Sequence, residues 1–422
     1  MIYRFLTILL WPVFFLYTLK IALRDKSSQY LFQRLGFSYP LQTSQTIWIH
    51  CASVGEVNTC LPLLQKLIAR HSQAQFIITT NTVTGAHTVA RHNLERTQHC
   101  FLPIESTFAI KRFINAWQPT QCIIMETEIW PLLYKFCYKN NISISIINAR
   151  LSHRTLNTNS WFKSLYKTSL SYVDKILCKS EIELNNFKLL GADENKLIIA
   201  GNLKFTFTQT STPIMPINLK QRKYCVAAST HNNEEQQLAE LWRSLKTDML
   251  LVIVPRHPNR SNAIQKQLSA LNINFSVRSQ QDEITEATSV YLADTLGELT
   301  QFIQGAESVF IGGSLIKHGG QNILEPCRLG KPTICGPYMF NFEEELQLLL
   351  NNNACIQVQN ISELKTVFAD YMASPENLNM IGDNAKQLLT KQSDILDKYI
   401  SCLSSLAGNP ESLNTTKSLD SR

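Results

Sequence analysis

Short apolar runs alternate with amphipathic segments along most of this 422-residue chain. Residues 47–52 resemble a buried strand that ends in Ser53-Val54-Gly55-Glu56, and helical apolar spacing follows from Val57 to Ala69. Further strand-like runs in the first half lie at 76–80, 122–125, 144–148 and 175–178. Strands that alternate with helices predict parallel sheets with right-handed crossovers, so we expect an α/β fold.

The alternation pauses near Gly201 and starts again after residue 222. Residues 206–216 are rich in Thr and Ser and contain two prolines, which is typical of a linker. New strand-like runs then lie at 224–228, 249–254, 289–292 and 308–311. The predicted organisation is two Rossmann-like domains facing a central cleft, because ligands bind beyond the carboxyl ends of strands in open α/β sheets. Its parts are a domain at 27–205, a linker at 206–222, a domain at 223–403 and a disordered polar tail at 404–422.

The N-terminal residues 1–26 predict a hydrophobic membrane anchor. Residues 5–19 carry no charge, and Lys20 interrupts an apolar run that continues to Leu23. This length is near the lower limit for spanning a bilayer, so the segment either spans it or lies in the interface. A cleaved signal peptide is the main alternative, but no small-residue cleavage site follows. The basic residues after the segment favour a C-terminal body on the cytoplasmic side.

The charge and cysteine content narrow the class of partner and the compartment. The formal net charge is +7, and residues 1–35 hold five basic residues against one acidic residue. Basic charge beside an apolar segment indicates membrane lipids as partners, whereas a nucleic-acid binder more often carries basic stripes on its folded body. Eleven cysteines without a C-x-x-C pair predict reduced thiols in the cytosol.

Residues 312–326, GGSLIKHGGQNILEP, are the most informative motif of the second half. Glycines permit positive φ and close backbone approach, and a helix start offers amide groups to an anion. Asn322 and Glu325 are three residues apart, so both project from one side of the first helical turn. A carboxylate there can accept both hydroxyls of a ribose. A capped glycine loop is the common structural alternative, but the close spacing of these features favours a nucleotide-sugar donor site.

Polar clusters follow the other predicted strands. In the first half, Glu56 has the spacing of a capping box with Ser53, and the residues alone favour that structural role. Glu126 comes directly after a strand and is expected to face the crevice, whereas Glu128 can be structural. In the second half, Arg256 follows a strand and can pair with a phosphate.

The order and combination of these motifs resemble the Kdo (3-deoxy-D-manno-octulosonic acid) transferases, glycosyltransferase family 30, which have the GT-B fold. The resemblance extends from the N-terminal anchor to about residue 390. One departure is Asn232-Asn233, where the family usually has Glu-Gly, although Asn tolerates the left-handed conformation. The matching motifs are Trp48-Ile49-His50 with Ala52 to Val57, Glu126 to Pro131, Asn148 to Ser152, Gly201 to Lys204, Ser229-Thr230-His231, Pro255 to Pro258 and Gly320 to Pro326.

The resemblance assigns roles to individual residues, and it reverses the cap-only preference for Glu56. Glu56 becomes the general base, and Glu126 and Lys204 stabilise the transition state. The residues expected around CMP are Pro255, Arg256, Gly297, Glu298, Leu299, Asn322, Ile323, Leu324 and Glu325.

The implied reaction moves Kdo from CMP-Kdo to a lipid A precursor, lipid IVA, at the cytoplasmic side of the cell inner membrane. Direct attack by a sugar hydroxyl inverts the anomeric centre and needs one carboxylate to accept the proton. A single leaving phosphate can be stabilised by Arg, Lys and amide groups, so neither a metal nor another cofactor is expected.

Two alternatives remain at this point. One is a GT-B enzyme that uses a UDP-sugar, either a lipid-linked GlcNAc transferase or a UDP-sugar epimerase. The other is a membrane-tethered nucleotide-binding protein without catalysis, which would leave the carboxylates and Lys204 without a role.

Overall fold

The computed structural model describes residues 2–40, 44, 46–206, 215–392 and 394–404. These residues group into two compact units, 2–206 with 394–404, and 215–392. Residues 207–214 of the predicted linker and the predicted tail beyond Ser404 lie outside the described residues. Two α/β units agree with the predicted fold class.

The first unit is built on a seven-stranded sheet in which every neighbouring pair is parallel. The strand order is β3-β2-β1-β4-β5-β6-β7, which reverses direction between β1 and β4. The strands are β1 (Thr46–His50), β2 (Gln75–Thr80), β3 (Thr97–Phe101), β4 (Pro119–Met125), β5 (Ser143–Ala149), β6 (Lys175–Cys178) and β7 (Leu197–Ile199).

Helices connect these strands. They are α1 (Ile2–Leu9), α2 (Trp11–Arg24), α3 (Ser28–Arg34), α4 (Val54–Arg70), α5 (Val83–His92), α6 (Thr107–Trp117), α7 (Pro131–Lys139), α8 (His153–Leu156), α9 (Ser160–Ser171) and α10 (Glu181–Leu189), with 3-10 turns at Glu194–Lys196 and Leu203–Phe205. All five residues of β1 are buried, because helices cover both faces of a parallel sheet. This explains why the central strands are continuous apolar runs in the sequence.

The second unit repeats this design with a second all-parallel sheet. Its order is β10-β11-β9-β8-β12-β13-β14, which reverses between β8 and β12. The strands are β8 (Tyr224–Thr230), β9 (Leu250–Pro255), β10 (Phe275–Val277), β11 (Val290–Leu292), β12 (Ser308–Ile311), β13 (Thr333–Cys335) and β14 (Ile356–Gln357). The helices are α11 (Glu234–Leu245), α12 (Ser261–Ala270), α13 (Leu299–Gly305), α14 (Leu324–Arg328), α15 (Glu343–Asn351), α16 (Ile361–Ala373) and α17 (Pro375–Thr390), with a 3-10 turn at Pro258–Arg260.

The last described helix, α18 (Ile395–Ser404), belongs to the first unit. The Tyr399 hydroxyl donates to the carbonyl of Gly201 at 2.8 Å and accepts from the amide of Asn148 at 3.1 Å. The sequence placed residues up to 403 in the second domain, and this boundary is wrong. Sequence periodicity predicts that a helix is amphipathic but does not say which core it covers.

The predicted anchor consists of two helices, α1 and α2, instead of one continuous segment. Pro12 lies in the first turn of α2, where its missing N–H is tolerated, so the break falls at Leu10. Several apolar side chains of these helices are more than half exposed, among them Phe5, Ile8, Leu9, Val13 and Leu16. Across the described ranges, no helix combines the length and the apolar character needed to cross a bilayer.

Candidate active site

The two sheets share one feature that places the candidate site residues. Each sheet reverses its strand order at one point, between β1 and β4 in the first unit and between β8 and β12 in the second. At such a point the loops after the two strands diverge and leave a crevice, which is where α/β proteins bind ligands. The residues that follow β1, β4, β8 and β12 are therefore the strongest candidates for contact with a ligand.

Glu56 lies in the first turn of α4, directly after β1. Ser53 is the N-cap of this helix, and its hydroxyl accepts the amide N–H of Glu56 at 3.4 Å. The Glu56 carboxylate turns back and accepts the amide N–H of Ala52 at 2.8 Å and the Ser53 hydroxyl at 3.1 Å. The predicted cap is confirmed, and the same contacts hold the carboxylate at the switch point.

The environment of Glu56 favours a carboxyl group that exchanges protons near neutral pH. Burial raises its pKa to about 7, and the hydrogen bond from Ala52 opposes that rise. The nearby carboxylates of Glu126 and Glu128 contribute to this raised pKa, since a second negative charge is unfavourable beside them, whereas His50 opposes it. A base with a pKa near the working pH is the most effective proton acceptor.

Glu126 follows β4 and adopts an unusual backbone conformation. Its φ is +59°, which is uncommon for a residue with a side chain and is concentrated at functional sites. Its carboxylate, 15% exposed, accepts Nε of Arg150 at 2.7 Å. Arg150 follows β5, the next strand in the sheet. The Glu126 carboxylate is therefore oriented by a half-exposed arginine and lies close enough to Glu56 to influence it.

Glu128, expected to be structural, lies beside the same group. Its Oε2 accepts the indole N–H of Trp130 at 2.9 Å and the side-chain amide of Asn81 at 3.3 Å. Burial alone would raise its pKa, but these donors and the approach of His50 hold the pKa below its ordinary value. Glu128 is thus held as an anion, and it is not among the catalytic residues that the sequence predicted.

Lys204 reaches the same region through the 3-10 turn Leu203–Phe205, which packs against α4. Asn148, at the end of β5 with φ of +49°, accepts the amide of Leu203 through its side chain at 2.9 Å. Asn148 thereby fixes the turn that carries Lys204 to the strand end. The structure brings the elements of Glu56, Glu126 and Lys204 together within one unit.

In the second unit, the glycine loop after β12 is organised by a residue that the sequence analysis did not select. The buried carboxylate of Glu234 accepts the amides of Gly313, Ser314 and Leu315 at 2.6, 3.1 and 3.1 Å. It also accepts the amide of His231 at 3.0 Å. An internal carboxylate therefore occupies the amides of residues 313–315. The sequence-based expectation concerned the amides at the start of α14, and it stays a prediction.

The glycines of this loop permit close contact within the protein. A Cβ at Gly312 would lie 2.5 Å from the carbonyl oxygen of Ser229 on β8. A Cβ at Gly320, where φ is +72°, would lie 2.1 Å from the sulfur of Met339. The signal in the sequence that marks Glu234 is its spacing of three residues after His231, the same spacing as in a capping box.

Basic side chains gather where β8, β9 and β12 end. The ring of His231 lies 3.8 Å from that of His318 and 6.0 Å from that of His257, measured between centroids. Burial, together with the neighbouring histidines and arginines, lowers the pKa of His231 to about 4. Arg256 directly follows the buried Pro255 and is exposed, and no described residue forms a hydrogen bond or ion pair with its guanidinium. This edge of the sheet suits an anionic ligand.

Gly297, Glu298 and Leu299 lie beyond β11, the neighbour of β9. Gly297 has φ of +89° and open space where a Cβ would be, so a ligand can approach its backbone. Glu298 accepts Nη2 of Arg278 at 2.8 Å and the Thr295 hydroxyl, and these contacts lower its pKa. The Glu298 carboxylate is therefore already paired. We expect Glu298 to contact a ligand through its backbone more than through its charge.

The predicted CMP-binding residues around Glu325 are adjacent to the Gly297 turn. Thr300 on α13 donates its hydroxyl to Glu325 at 2.6 Å, which joins the two predicted CMP segments. Asn322 is exposed and its side chain accepts the amide of Leu324 at 3.1 Å. Ile323 and Leu324 are buried, so only their backbone can face a ligand. Throughout the described residues, no cluster of three or more His, Cys, Asp or Glu side chains is arranged to hold a metal.

Comparison with known proteins agrees with this geometry. Residues 29–207 match the family model described as 3-deoxy-D-manno-octulosonic-acid transferase (kdotransferase). The 3-deoxy-D-manno-octulosonic acid transferase of Haemophilus influenzae is 33% identical over 387 residues, which cover 89% of this chain and 91% of that protein.

Two solved structures share the fold. A putative UDP-N-acetylglucosamine 2-epimerase from Listeria monocytogenes has a TM-score of 0.57 at 13% identity, over 86% of this chain and 96% of its own. A glycosyltransferase from Rickettsia africae has a TM-score of 0.55 at 14% identity, over 87% of this chain and all of its own (100%). At these identities the likeness shows a GT-B-like architecture alone. The identity and coverage of the Haemophilus relative are decisive, and the chain belongs to the Kdo transferase family of glycosyltransferases.

Proposed function

We propose that this enzyme transfers Kdo from CMP-Kdo to a lipid A precursor, lipid IVA, with inversion at the anomeric carbon and without a metal ion or other cofactor. The single observation that carries the proposal is Glu56, a partly buried carboxyl with a pKa of about 7, held at a switch point beside two further carboxylates. A sugar hydroxyl is a weak nucleophile and needs such a base.

The proposed step is a direct displacement. The acceptor hydroxyl oxygen bonds to the anomeric carbon of Kdo while the bond from that carbon to the CMP phosphate breaks. The hydroxyl proton goes to Glu56, and CMP leaves with the electron pair. Glu126 stabilises positive charge that develops on the donor ring, and Lys204 stabilises negative charge on the leaving phosphate.

The donor side of the proposal rests on the second unit. Arg256 offers an unpaired guanidinium for the CMP phosphate, and the Gly297 turn offers open backbone. Glu325 is oriented by Thr300 and accepts ribose hydroxyls. Pro255, Glu298, Leu299, Asn322, Ile323 and Leu324 complete the predicted CMP contacts, the buried ones through their backbone.

A lipid acceptor and a place at the cytoplasmic face of the inner membrane are also proposals. The exposed apolar side chains of α1 and α2 support a helix pair that lies in the membrane interface. Lys20, Arg24, Lys26 and Arg34 follow the apolar run in sequence. Cations near an anionic surface contribute roughly 1 kcal/mol each. Arg34 is buried, however, so it does not join that contact.

The test is incubation with CMP-Kdo and a tetra-acylated lipid A precursor, followed by mass analysis of the product and assignment of its anomeric configuration. We expect one or more added Kdo residues with inverted configuration. A UDP-sugar in place of CMP-Kdo is the matched control and should give no product. Turnover with the UDP-sugar alone would contradict the proposed donor.

Metal independence has its own test. Because Arg256, Lys204 and the backbone carry the phosphate charge in this proposal, turnover in excess EDTA should match turnover in buffer alone. Loss of activity with EDTA that Mg²⁺ restores would contradict this part of the proposal.

A further inference from the structure

His231 and Arg256 leave the second sheet side by side. The residues before them, Thr230 and Pro255, are paired in the register of the neighbouring parallel strands β8 and β9. The amide of Arg256 also donates to the carbonyl of Thr230 at 3.0 Å. His231 is thus the strand-end neighbour of the arginine that we assign to the CMP phosphate.

The side chain of Gln321 determines which nitrogen of His231 carries the proton. Nε2 of Gln321 lies 3.0 Å from Nε2 of His231. An amide nitrogen can only donate, so Nε2 of the imidazole accepts and the ring proton resides on Nδ1. The lowered pKa of His231, about 4, keeps this ring neutral near neutral pH. His231 therefore presents one N–H group, at Nδ1.

The Nδ1 atom of His231 can be reached by a ligand. No described residue forms a hydrogen bond with it, yet it does not belong to the polar atoms that the protein encloses without a partner. The ring itself is held in place, because the residue is only 8% exposed and its centroid lies 3.8 Å from that of His318. On the other side, a Cβ at Gly313 would lie 3.2 Å from Cδ2 of His231. The N–H donor is therefore oriented before a ligand binds.

The two buried carboxylates near His231 do not accept this proton. Glu234 accepts the amides of residues 313–315 and the backbone amide of His231. Glu235 pairs with Arg260 at 2.7 Å. Both carboxylates are already bound, so the Nδ1 proton remains for an acceptor that comes from outside the protein.

The proposed donor carries two anionic groups on one carbon. Kdo is an α-keto acid in its open form, so in CMP-Kdo the carboxylate and the phosphate oxygen are both attached to the anomeric carbon. A site that binds the phosphate must therefore have a partner for the carboxylate close beside it. The strand-end neighbour of Arg256 has that position, and a hydrogen bond to a carboxylate is stronger than one between neutral groups.

We propose that His231 binds the carboxylate of the Kdo donor through Nδ1, with Gln321 and His318 holding its ring. His231 is then a substrate-binding residue, and Gln321 is a positioning residue that acts through it. The inference rests on the proposed function, because it adds a carboxylate subsite to a donor site in which Arg256 binds the phosphate. Its consequence is that the second unit selects an acidic sugar donor over a neutral one.

The test compares the KM for CMP-Kdo, at saturating acceptor, with the inhibition constant of CMP, which has no carboxylate. His231→Gln keeps an amide near Gln321 but lacks a donor at the position of Nδ1, so the KM for CMP-Kdo should rise roughly tenfold or more. His231→Asn keeps a donor close to that position and should raise this KM much less. The inhibition constant of CMP should be unchanged in both variants, whereas Arg256→Ala should raise both constants.

A variant of the positioning residue gives an independent test. Gln321→Glu places an acceptor beside Nε2 of His231, which draws the ring proton away from Nδ1. The KM for CMP-Kdo should therefore rise and the inhibition constant of CMP should not. Gln387→Glu makes the same charge change at an exposed position of α17 and is the matched control, which should leave both constants unaltered.

The carboxamide analogue of CMP-Kdo shows whether the carboxylate is the group that His231 binds. The wild type should have a higher KM for this analogue than for CMP-Kdo. His231→Gln should add little further loss with the analogue, because the partner of the deleted N–H is already gone.

The inference is overturned if folded His231→Gln keeps the wild-type KM for CMP-Kdo, or if this KM and the inhibition constant of CMP rise together. Should His231→Gln not fold, the same outcomes in Gln321→Glu decide the question. Failure of the proposed function looks different, since the wild type would then not turn over CMP-Kdo, and the inference would fail with it. If the wild type uses CMP-Kdo and the two constants do not separate in the variants, only the present inference fails.

Discussion

The two units of this enzyme have the same sheet design and opposite chemistry at its switch point. In the first unit the residues after β1 and β4 are carboxylates, and mutual repulsion and burial raise the pKa of one of them to about 7. In the second unit the residues after β8 and β9 are histidines and an arginine whose guanidinium has no partner among the described residues. The two buried carboxylates nearby are already bound, since Glu234 accepts loop amides and Glu235 pairs with Arg260. In our proposal the edge of the first sheet accepts a proton and the edge of the second sheet binds an anion.

The comparison shows how a single fold supports two roles. The backbone geometry of the crevice comes from the strand order, which is common to both units. The charge of the crevice comes from a few residues at the strand ends, which differ. A variant at one edge should therefore disturb one role and leave the other nearly intact.

The largest effect is expected for Glu56→Gln, which should lower turnover by about 10²–10⁴-fold. The substitution keeps the side-chain size and the contact to Ala52 but cannot accept a proton. The measurement is kcat with saturating CMP-Kdo and acceptor.

Ser53→Ala is the matched control for this prediction, because it removes the cap hydroxyl and leaves the carboxylate. It should reduce stability by about 0.5–2 kcal/mol with much less loss of turnover. If both variants lost activity to the same small extent, Glu56 would be no more than a cap.

The second-largest effect is expected at the strand-end edge of the second sheet, where we propose that CMP-Kdo binds. Arg256→Ala should raise the KM for CMP-Kdo roughly tenfold or more, since a hydrogen bond to a charged group contributes about 1.5–3 kcal/mol. The KM for the lipid acceptor should change little. Arg256→Lys keeps the charge, so its KM for CMP-Kdo should lie between the values for the wild type and for Arg256→Ala. An unchanged donor KM in Arg256→Ala would remove this residue from the donor site.

A third prediction concerns the exposed apolar surface of α1 and α2 in the first unit. Leu9, Val13 and Leu16 are each at least 60% exposed, so changing all three to Gln should not disturb the core. Each such side chain contributes about 1.5–3 kcal/mol when fully buried, so partition into vesicles should fall. Activity should decrease on acceptor embedded in bilayers and far less on acceptor dispersed in detergent.

The control for this surface is the same change at Ile182, Leu189 and Ile199, exposed apolar residues elsewhere in the first unit. Those substitutions should leave vesicle binding unaltered. Deletion of residues 1–24 would be a poorer test, because Thr18 and Ala22 are buried and the Tyr3 hydroxyl bonds to Glu105.

The smallest effect is on stability. The folded-state pKa of Glu56, about 7, is above its ordinary value, so the folded protein holds a proton that the unfolded chain has released. The free energy of unfolding of the wild type should therefore decrease as pH rises from about 4.5 to 7 through this group. Glu56→Gln should lack this part of the decrease, as denaturant titrations at several pH values would show. A parallel pH dependence in both proteins would contradict the raised pKa.

Much of the fold could be predicted because buried parallel strands appear in the sequence as short continuous apolar runs. The runs at 76–80, 122–125 and 175–178 match β2, β4 and β6 closely. The sequence missed β3, an edge strand that contains the polar residues Gln98 and His99. It also missed β7, β10, β13 and β14, which are each three residues long or shorter. Edge strands and very short strands bury too little to produce a continuous apolar run.

The site was predictable where a contact joins residues that are close together in the sequence. The cap of Glu56 follows from its spacing with Ser53, and the positive φ of Asn233, +77°, follows from the tolerance of Asn for this conformation. The contact between Glu234 and the loop 79 residues later does not follow from any local pattern. Neither does the approach of His50 to Glu128, since both require the register of strands distant in sequence.

The most direct test of the division between the two edges is the affinity for CMP, measured by calorimetry on folded Glu56→Gln and Arg256→Ala. Glu56→Gln should bind CMP as tightly as the wild type although it is almost inactive, and Arg256→Ala should bind roughly tenfold more weakly or worse. Loss of CMP affinity in Glu56→Gln, or wild-type affinity in Arg256→Ala, would contradict the assignment of proton transfer to the first unit and donor binding to the second.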